Sequence, residues 1–176
     1  SAWARNKYQG QDYRYAQYFW NYYYQFMLST NKTIALIDPE TATKEQLGYL
    51  GGGYAFRALL YLDMARMFEF LPTDVTDGVN VNDNNVVGLT CPIVSEDMST
   101  AEAANNPRAK HEDMFAFIEE DLNNAEKYIV NLAERANNTL PDLACVYGLK
   151  ARLYMWNEDY ENAAIYARKA IDASSV

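Results

Sequence analysis

Thr43-Lys-Glu-Gln46 opens the most informative run of the chain, which continues through Gly51-Gly52-Gly53, Arg57-Ala58 and Tyr61 to Arg66-Met-Phe68 and stops at Pro72. Thr43 and Gln46 stand at capping-box spacing, in which a hydroxyl accepts from the third helical amide and the Gln side chain reaches back to the cap. From 46 to 70 apolar residues fall on nearly every face, which predicts the most buried helix of the fold. Such a helix needs neighbours on all sides, and the flanking sequence supplies them. Upstream, Ala16, Trp20, Tyr23, Met27, Thr30, Ile34 and Ile37 recur at steps of four and three, a single helical stripe over 12–37 that ends before Pro39. Downstream, Met114, Ile118, Leu122, Ala125, Ile129 and Leu132 repeat that spacing until Asn137-Asn138 breaks it. Thr139-Leu-Pro-Asp142 reads as a new start with Pro in the first turn, followed by a helix to about Trp156, a short Asn157-Glu-Asp159 turn and a last helix over 160–173 capped by Asp159. The fold class is all-α.

Composition agrees with that reading. The chain has 176 residues, 49% hydrophobic and 22% charged, enough for one packed domain or part of a larger protein and too apolar for disorder. Fifteen Tyr, seven Phe and three Trp make 14% of the chain, and Tyr suits half-buried and binding surfaces because a large ring carries a wet hydroxyl. Five Pro and eight Gly argue against a turn-rich β fold. A net charge of −9 disfavours nucleic acid and anionic lipid as partners. No apolar stretch is long enough for a transmembrane segment. Cys91 and Cys145 form neither a CxxC pair nor a disulfide framework, so they leave the redox compartment open. The chain starts at Ser1 without Met or a signal segment, so it reads as processed or as part of a longer protein.

One stretch has no helical pattern. Residues 72–107 form a long irregular loop with Asn, Asp, Gly and Ser clusters, no aromatic residue, and six acids without a Lys or Arg. Its acids repel one another and it holds little apolar area, so the sequence predicts a solvated, mobile segment.

The last helix pair, over 142–174, has a different signature. Ala151 and Tyr154 on its first helix, and Tyr160, Ala163, Ala167 and Ala170 on its second, let antiparallel helices approach while rings fill the angle between them. This resembles a tetratricopeptide (TPR) repeat, the unit of an α–α superhelix. Three upstream segments narrow the resemblance: Trp20-x3-Tyr24-x2-Met27-x3-Asn31, the run from Gly51 through Arg57-Ala58 to Pro72, and Pro107-Arg108-Ala109 leading through Phe115 and Ile118 to Asp121-Leu122-x2-Ala125. In this order, ahead of a TPR-like pair, they are similar to the SusD/RagB family of nutrient-binding outer-membrane lipoproteins of Bacteroidetes. The chain departs from the family pattern at Gly52-Gly53, where Glu-Ala is usual, and at Glu69, where Gly is common.

The resemblance implies a single helical SusD-like N-terminal domain over 1–176. It further implies a glycan or other nutrient ligand, a SusC-like TonB-dependent transporter as partner, and a place at the cell surface in the outer membrane. The signal peptide and lipid-anchored Cys of the family are not in this sequence. The alternative is a TPR adaptor that binds a protein or peptide; a lipobox Cys in the full-length precursor decides between the two.

Candidate sites follow from chemistry. Gly51–Gly53 lacks the Lys-Ser/Thr that a phosphate loop needs after it, so a close helix crossing is expected there. His111 has no Ser or Cys at suggestive spacing. Glu119, Glu120 and Asp121 are adjacent on a helix and point apart, so no catalytic residues are assigned and no cofactor is expected. Arg57 within an apolar helix needs an internal ion pair, and Asn31 a neighbouring loop or helix to bond. Asp74, Asp77 and Asp83 offer hard oxygens but lack the D-x-D-x-D-G spacing of a Ca²⁺ loop, so no metal site is assigned. Eleven aromatic residues lie between Trp3 and Phe26, and sugar C–H faces stack on such rings. Trp20, Tyr23 and Tyr24 fall on the core stripe. Trp3, Tyr8 and Tyr13, before or at the helix start, are the glycan-binding candidates.

Overall fold

Six helices form among the described residues. The computed structural model describes residues 14–72, 77–80, 82–133, 135 and 137–174. In chain order the helices are α1 Arg14–Ala35, α2 Lys44–Phe68, α3 Thr100–Ala104, α4 His111–Ile129, α5 Leu143–Trp156 and α6 Tyr160–Ala173. The fold is all-α, and the described residues contain only two isolated β-bridges, Val79 with Asn85 and Leu89 with Lys110.

The helix starts are chemical. Thr43 Oγ1 accepts from the Gln46 amide at 3.3 Å, and Gln46 Oε1 accepts from the Thr43 amide at 2.8 Å, which completes the capping box. Asp159 accepts from the Asn162 amide at 3.1 Å and starts α6. The start of α5 differs from expectation. Asp142, not a residue ahead of Pro141, is the cap, accepting from the Cys145 amide at 2.8 Å, so Pro141 precedes the helix instead of entering its first turn.

α2 is the centre of the bundle, with twelve of its 25 residues buried. α1 packs on one side of it and α4 on another, α5 touches both α2 and α4, and α6 packs on α5 alone. The core joins Met27 of α1, Tyr61, Leu62 and Met64 of α2, Met114, Ile118 and Leu122 of α4, and Val146 and Leu153 of α5. Every residue of the α1 stripe, from Ala16 to Ile34, is buried or half-buried. Glycine sets how closely α2 meets the end of α4. A Cβ on Gly51 would stand 2.5 Å from the Ile129 amide nitrogen, and one on Gly48 2.9 Å from that of Leu132. Both contacts are with backbone, so the crossing admits no side chain there.

The acidic segment is more structured than its composition suggests. Around 80–84, Asn80 Oδ1 accepts from the amides of Asn82 and Asn84 and closes a turn, with Asp83 at φ 58°. From Leu89 to Val94 the chain is tied to the bundle. Tyr24 donates to the Pro92 carbonyl at 2.6 Å and Asn31 to the Val94 carbonyl at 2.8 Å. Tyr61 Oη donates to the Val94 carbonyl and accepts from its amide. Thr90 and Cys91 are fully buried. The segment puts Cys91 into the core and packs Ile93 against it, and its hydrogen bonds to the bundle run through its backbone. Its partners are polar tips on the core faces of α1 and α2.

Candidate functional site

The most highly charged buried cluster centres on Arg57, which is 3% exposed. Its Nε donates to Asp121 Oδ2 at 2.8 Å and its Nη2 to Asp121 Oδ1 at 2.7 Å, while Nη1 donates to Asn31 Oδ1 at 2.9 Å and to Glu96. The rings of Tyr54 and Phe117 lie 5.5 and 5.0 Å from the guanidinium carbon. Burial opposes the charge on Arg57, but the bonds from Asp121 and Glu96 outweigh it and hold the guanidinium more basic than usual. Four elements meet here: α1 through Asn31, α2 through Arg57, α4 through Asp121, and the acidic segment through Glu96. Glu96, expected among the solvated acids, is an ion-pair partner. Arg57, Asp121 and Asn31 are buried, and the cluster reads as the pin that sets helix register.

Several other titratable groups are also engaged. His111 Nδ1 lies 2.7 Å from Glu69 Oε1 and its Nε2 3.1 Å from Asn157 Oδ1, with the ring 4.0 Å from that of Trp156. Trp156 Nε1 donates to the other oxygen of Glu69 at 2.8 Å, so Glu69, where the family pattern has Gly, ties α2 to α4 and α5. Glu119 accepts from the Tyr154 hydroxyl at 2.6 Å, and Asp121 faces Arg57, so these neighbours point apart as their spacing requires. Lys150 is buried on α5, bonded to Asn123 at 2.8 Å and to Glu126, with the Tyr166 ring 5.0 Å from its Nζ. Sequence reading missed it: a single Lys in an amphipathic helix carries no signal of burial.

Among the described residues, two open surfaces lie along α1. The first is the outward face of α1, where Tyr18, Tyr22 and Phe26 stand 58%, 45% and 46% exposed. Tyr18 and Tyr22 lie nearly parallel with centroids 5.7 Å apart, and Phe26 meets Tyr22 edge-on at 4.7 Å. Gln17, Asn21 and Gln25 line the same shallow groove together with Arg14. The second is a cavity of ≈ 490 Å³ between α1, α2 and the segment after α4, walled by Phe26, Tyr49, Phe56, Leu60, Leu132 and Leu140, with Gly52 and Gly53 in its floor. Phe26 belongs to both.

Trp3, Tyr8 and Tyr13 lie outside the described residues, as does Asp74. Trp20, Tyr23 and Tyr24 are half-buried against the core, as the stripe predicts. The exposed aromatic row on α1 was not anticipated, although its four-residue spacing is legible in the sequence. Among the described residues, no group of three or more His, Cys, Asp or Glu is placed to hold a metal ion. No helix among them is long and apolar enough to cross a membrane.

Residues 1–155 match the model of a SusD-like family described as starch-binding and associating with the outer membrane. No curated protein matches the chain. Among solved structures, a SusD-like carbohydrate binding protein from Bacteroides vulgatus superposes with a TM-score of 0.69 at 20% identity, over 90% of this chain and 31% of that protein. A SusD superfamily protein from Bacteroides thetaiotaomicron gives 0.65 at 20% identity over 88% of this chain and 31% of its own length. A SusD-like protein from Bacteroides fragilis gives 0.66 at 18% identity, over 87% and 26%. These establish a shared fold, and the chain spans less than a third of each of these relatives.

Proposed function

The chain belongs to the SusD-like family, and on that premise we propose that it binds glycan at the cell surface without making or breaking a bond, for delivery to a SusC-like TonB-dependent transporter in the outer membrane. The observation that carries this reading is the family match over 1–155, whose description is starch-binding at the outer membrane. The geometry supports it in two ways. The buried ionisable groups are paired to one another in the interior, in roles that hold helices together. The outward face of α1 offers aromatic rings beside neutral amides, which stack on and hydrogen-bond sugars. Trp3, Tyr8 and Tyr13 are proposed as contributors to that glycan contact.

Affinity electrophoresis tests the reading. In native gels containing soluble starch, dextran, xylan or mannan, at least one polysaccharide should retard the chain in proportion to its concentration. Unchanged mobility in all four would count against glycan binding and in favour of a protein or peptide partner.

A further inference from the structure

The outward face of α1 carries two parallel rows in register. Tyr18, Tyr22 and Phe26 follow one another at steps of four, and Gln17, Asn21 and Gln25 each stand one position before a ring. Residues four apart share a helix face, and each step rises about 6 Å along the axis. Each turn therefore offers one ring and one amide side by side. All six residues are exposed. Among the described residues, none of the three amide side chains has a hydrogen-bond partner. The rings are already packed on one another, so little ordering remains for a ligand to impose.

We infer that this face is a binding track for an extended, uncharged glycan chain that lies along α1 across the turns of Tyr18, Tyr22 and Phe26. The inference rests on the glycan-binding reading above and adds the place and the ligand class. A row of rings alone would suit any apolar partner. The amide row does not: a hydrophobic protein segment laid here would strip water from three amides and give them no partner, which is costly. A sugar ring presents a C–H face and a hydroxyl edge in the same unit, and an amide both donates and accepts, as hydroxyls require. Repetition over three turns calls for several linked sugars, because one unit covers a single rung. Arg14 is the one charged residue lining the groove, no carboxylate lines it, and the chain as a whole is strongly acidic, which disfavours a polyanionic glycan.

Calorimetric titration tests this with the disaccharide and hexasaccharide of the polysaccharide that retards the chain, maltose and maltohexaose for starch or xylobiose and xylohexaose for xylan. The hexasaccharide should bind about tenfold or more tighter than the disaccharide. Tyr22→Phe should bind within about twofold of the parent. Tyr22→Leu, which keeps apolar area but loses the flat face, should bind about tenfold weaker, the equivalent of one stacked ring. Asn21→Ala should weaken binding as well. These positions are exposed, and an unchanged circular dichroism spectrum and melting temperature will show that the variants fold. Hexasaccharide binding that is unaltered in both Tyr22→Leu and the double variant Tyr18→Ser, Tyr22→Ser overturns the track but leaves glycan binding standing. A parent chain that binds none of the four polysaccharides overturns both.

Discussion

Arg57 grips Asp121 with two parallel bonds, Nε to Oδ2 at 2.8 Å and Nη2 to Oδ1 at 2.7 Å, across the buried interface between α2 and α4. Removing one partner of a buried pair leaves an uncompensated charge, which costs about 3–5 kcal/mol. Arg57→Met should therefore cost about 3–5 kcal/mol of stability, measured by urea unfolding. A cost under about 1 kcal/mol would show that the fork does not hold the helices together.

Among the described residues, Glu96 is the one acid of the 72–107 segment that enters this cluster. A hydrogen bond to a charged group contributes about 1.5–3 kcal/mol. Glu96→Gln should weaken the docking of the segment by about that amount or less and leave the helices in place. Hydrogen exchange should show faster exchange at Thr90 and Val94 with α2 and α4 unchanged. Equal acceleration across the bundle would mean that the segment and the core open as one unit.

The glycines of α2 make opposite predictions at neighbouring positions. Gly51→Ala drives a methyl into the backbone of Ile129 and should cost about 1–3 kcal/mol or more. At Gly52 a Cβ would meet only Pro141 Cγ, at 3.9 Å, an ordinary contact. Gly52→Ala should stabilise the chain by about 0.5–1 kcal/mol, because alanine favours a helix interior. Thermal melts of both variants decide it, and equal effects of the same sign would contradict the crossing geometry.

Much of the bundle was legible because its signals are local. The capping box at Thr43, the core stripe of α1 and the need of Arg57 for an internal partner each follow from residue type and spacing. The docking of 89–94 was not, because its hydrogen bonds to α1 and α2 run through backbone groups of Pro92 and Val94, and backbone has no sequence pattern. Buried Lys150 was hidden for a related reason: its partners Asn123 and Glu126 lie on another helix. Both faces of α1 are aromatic, so periodicity marked the stripe through Trp20 and Met27 but passed over the exposed row of Tyr18, Tyr22 and Phe26.

Alkaline pH should destabilise the chain in a defined window. Burial pushes the Cys91 thiol up to about 11, and burial likewise raises the Tyr24 and Tyr61 hydroxyls well above their ordinary value. An unfolded thiol titrates near about 8.5, so below that pH both states keep the proton and Cys91 adds no pH dependence. Above it the unfolded state releases a proton that the folded state retains, and stability falls as pH rises toward 11, with the two Tyr adding to the loss from about pH 10 upward. The melting temperature should be flat from pH 7 to 8 and decline steadily beyond. Under native conditions a thiol reagent at pH 8 should label exposed Cys145 quickly and Cys91 only after unfolding. Rapid labelling of both would show that the Cys91 environment is open.

Binding without turnover is the central claim, and one experiment addresses both halves of it. The chain is titrated with whichever of starch, dextran, xylan or mannan retards it, and the polysaccharide is then recovered and its chain-length distribution measured. The account predicts saturable binding and an unchanged distribution after prolonged incubation. Shortened chains and new reducing ends, or the absence of saturable binding, would contradict it.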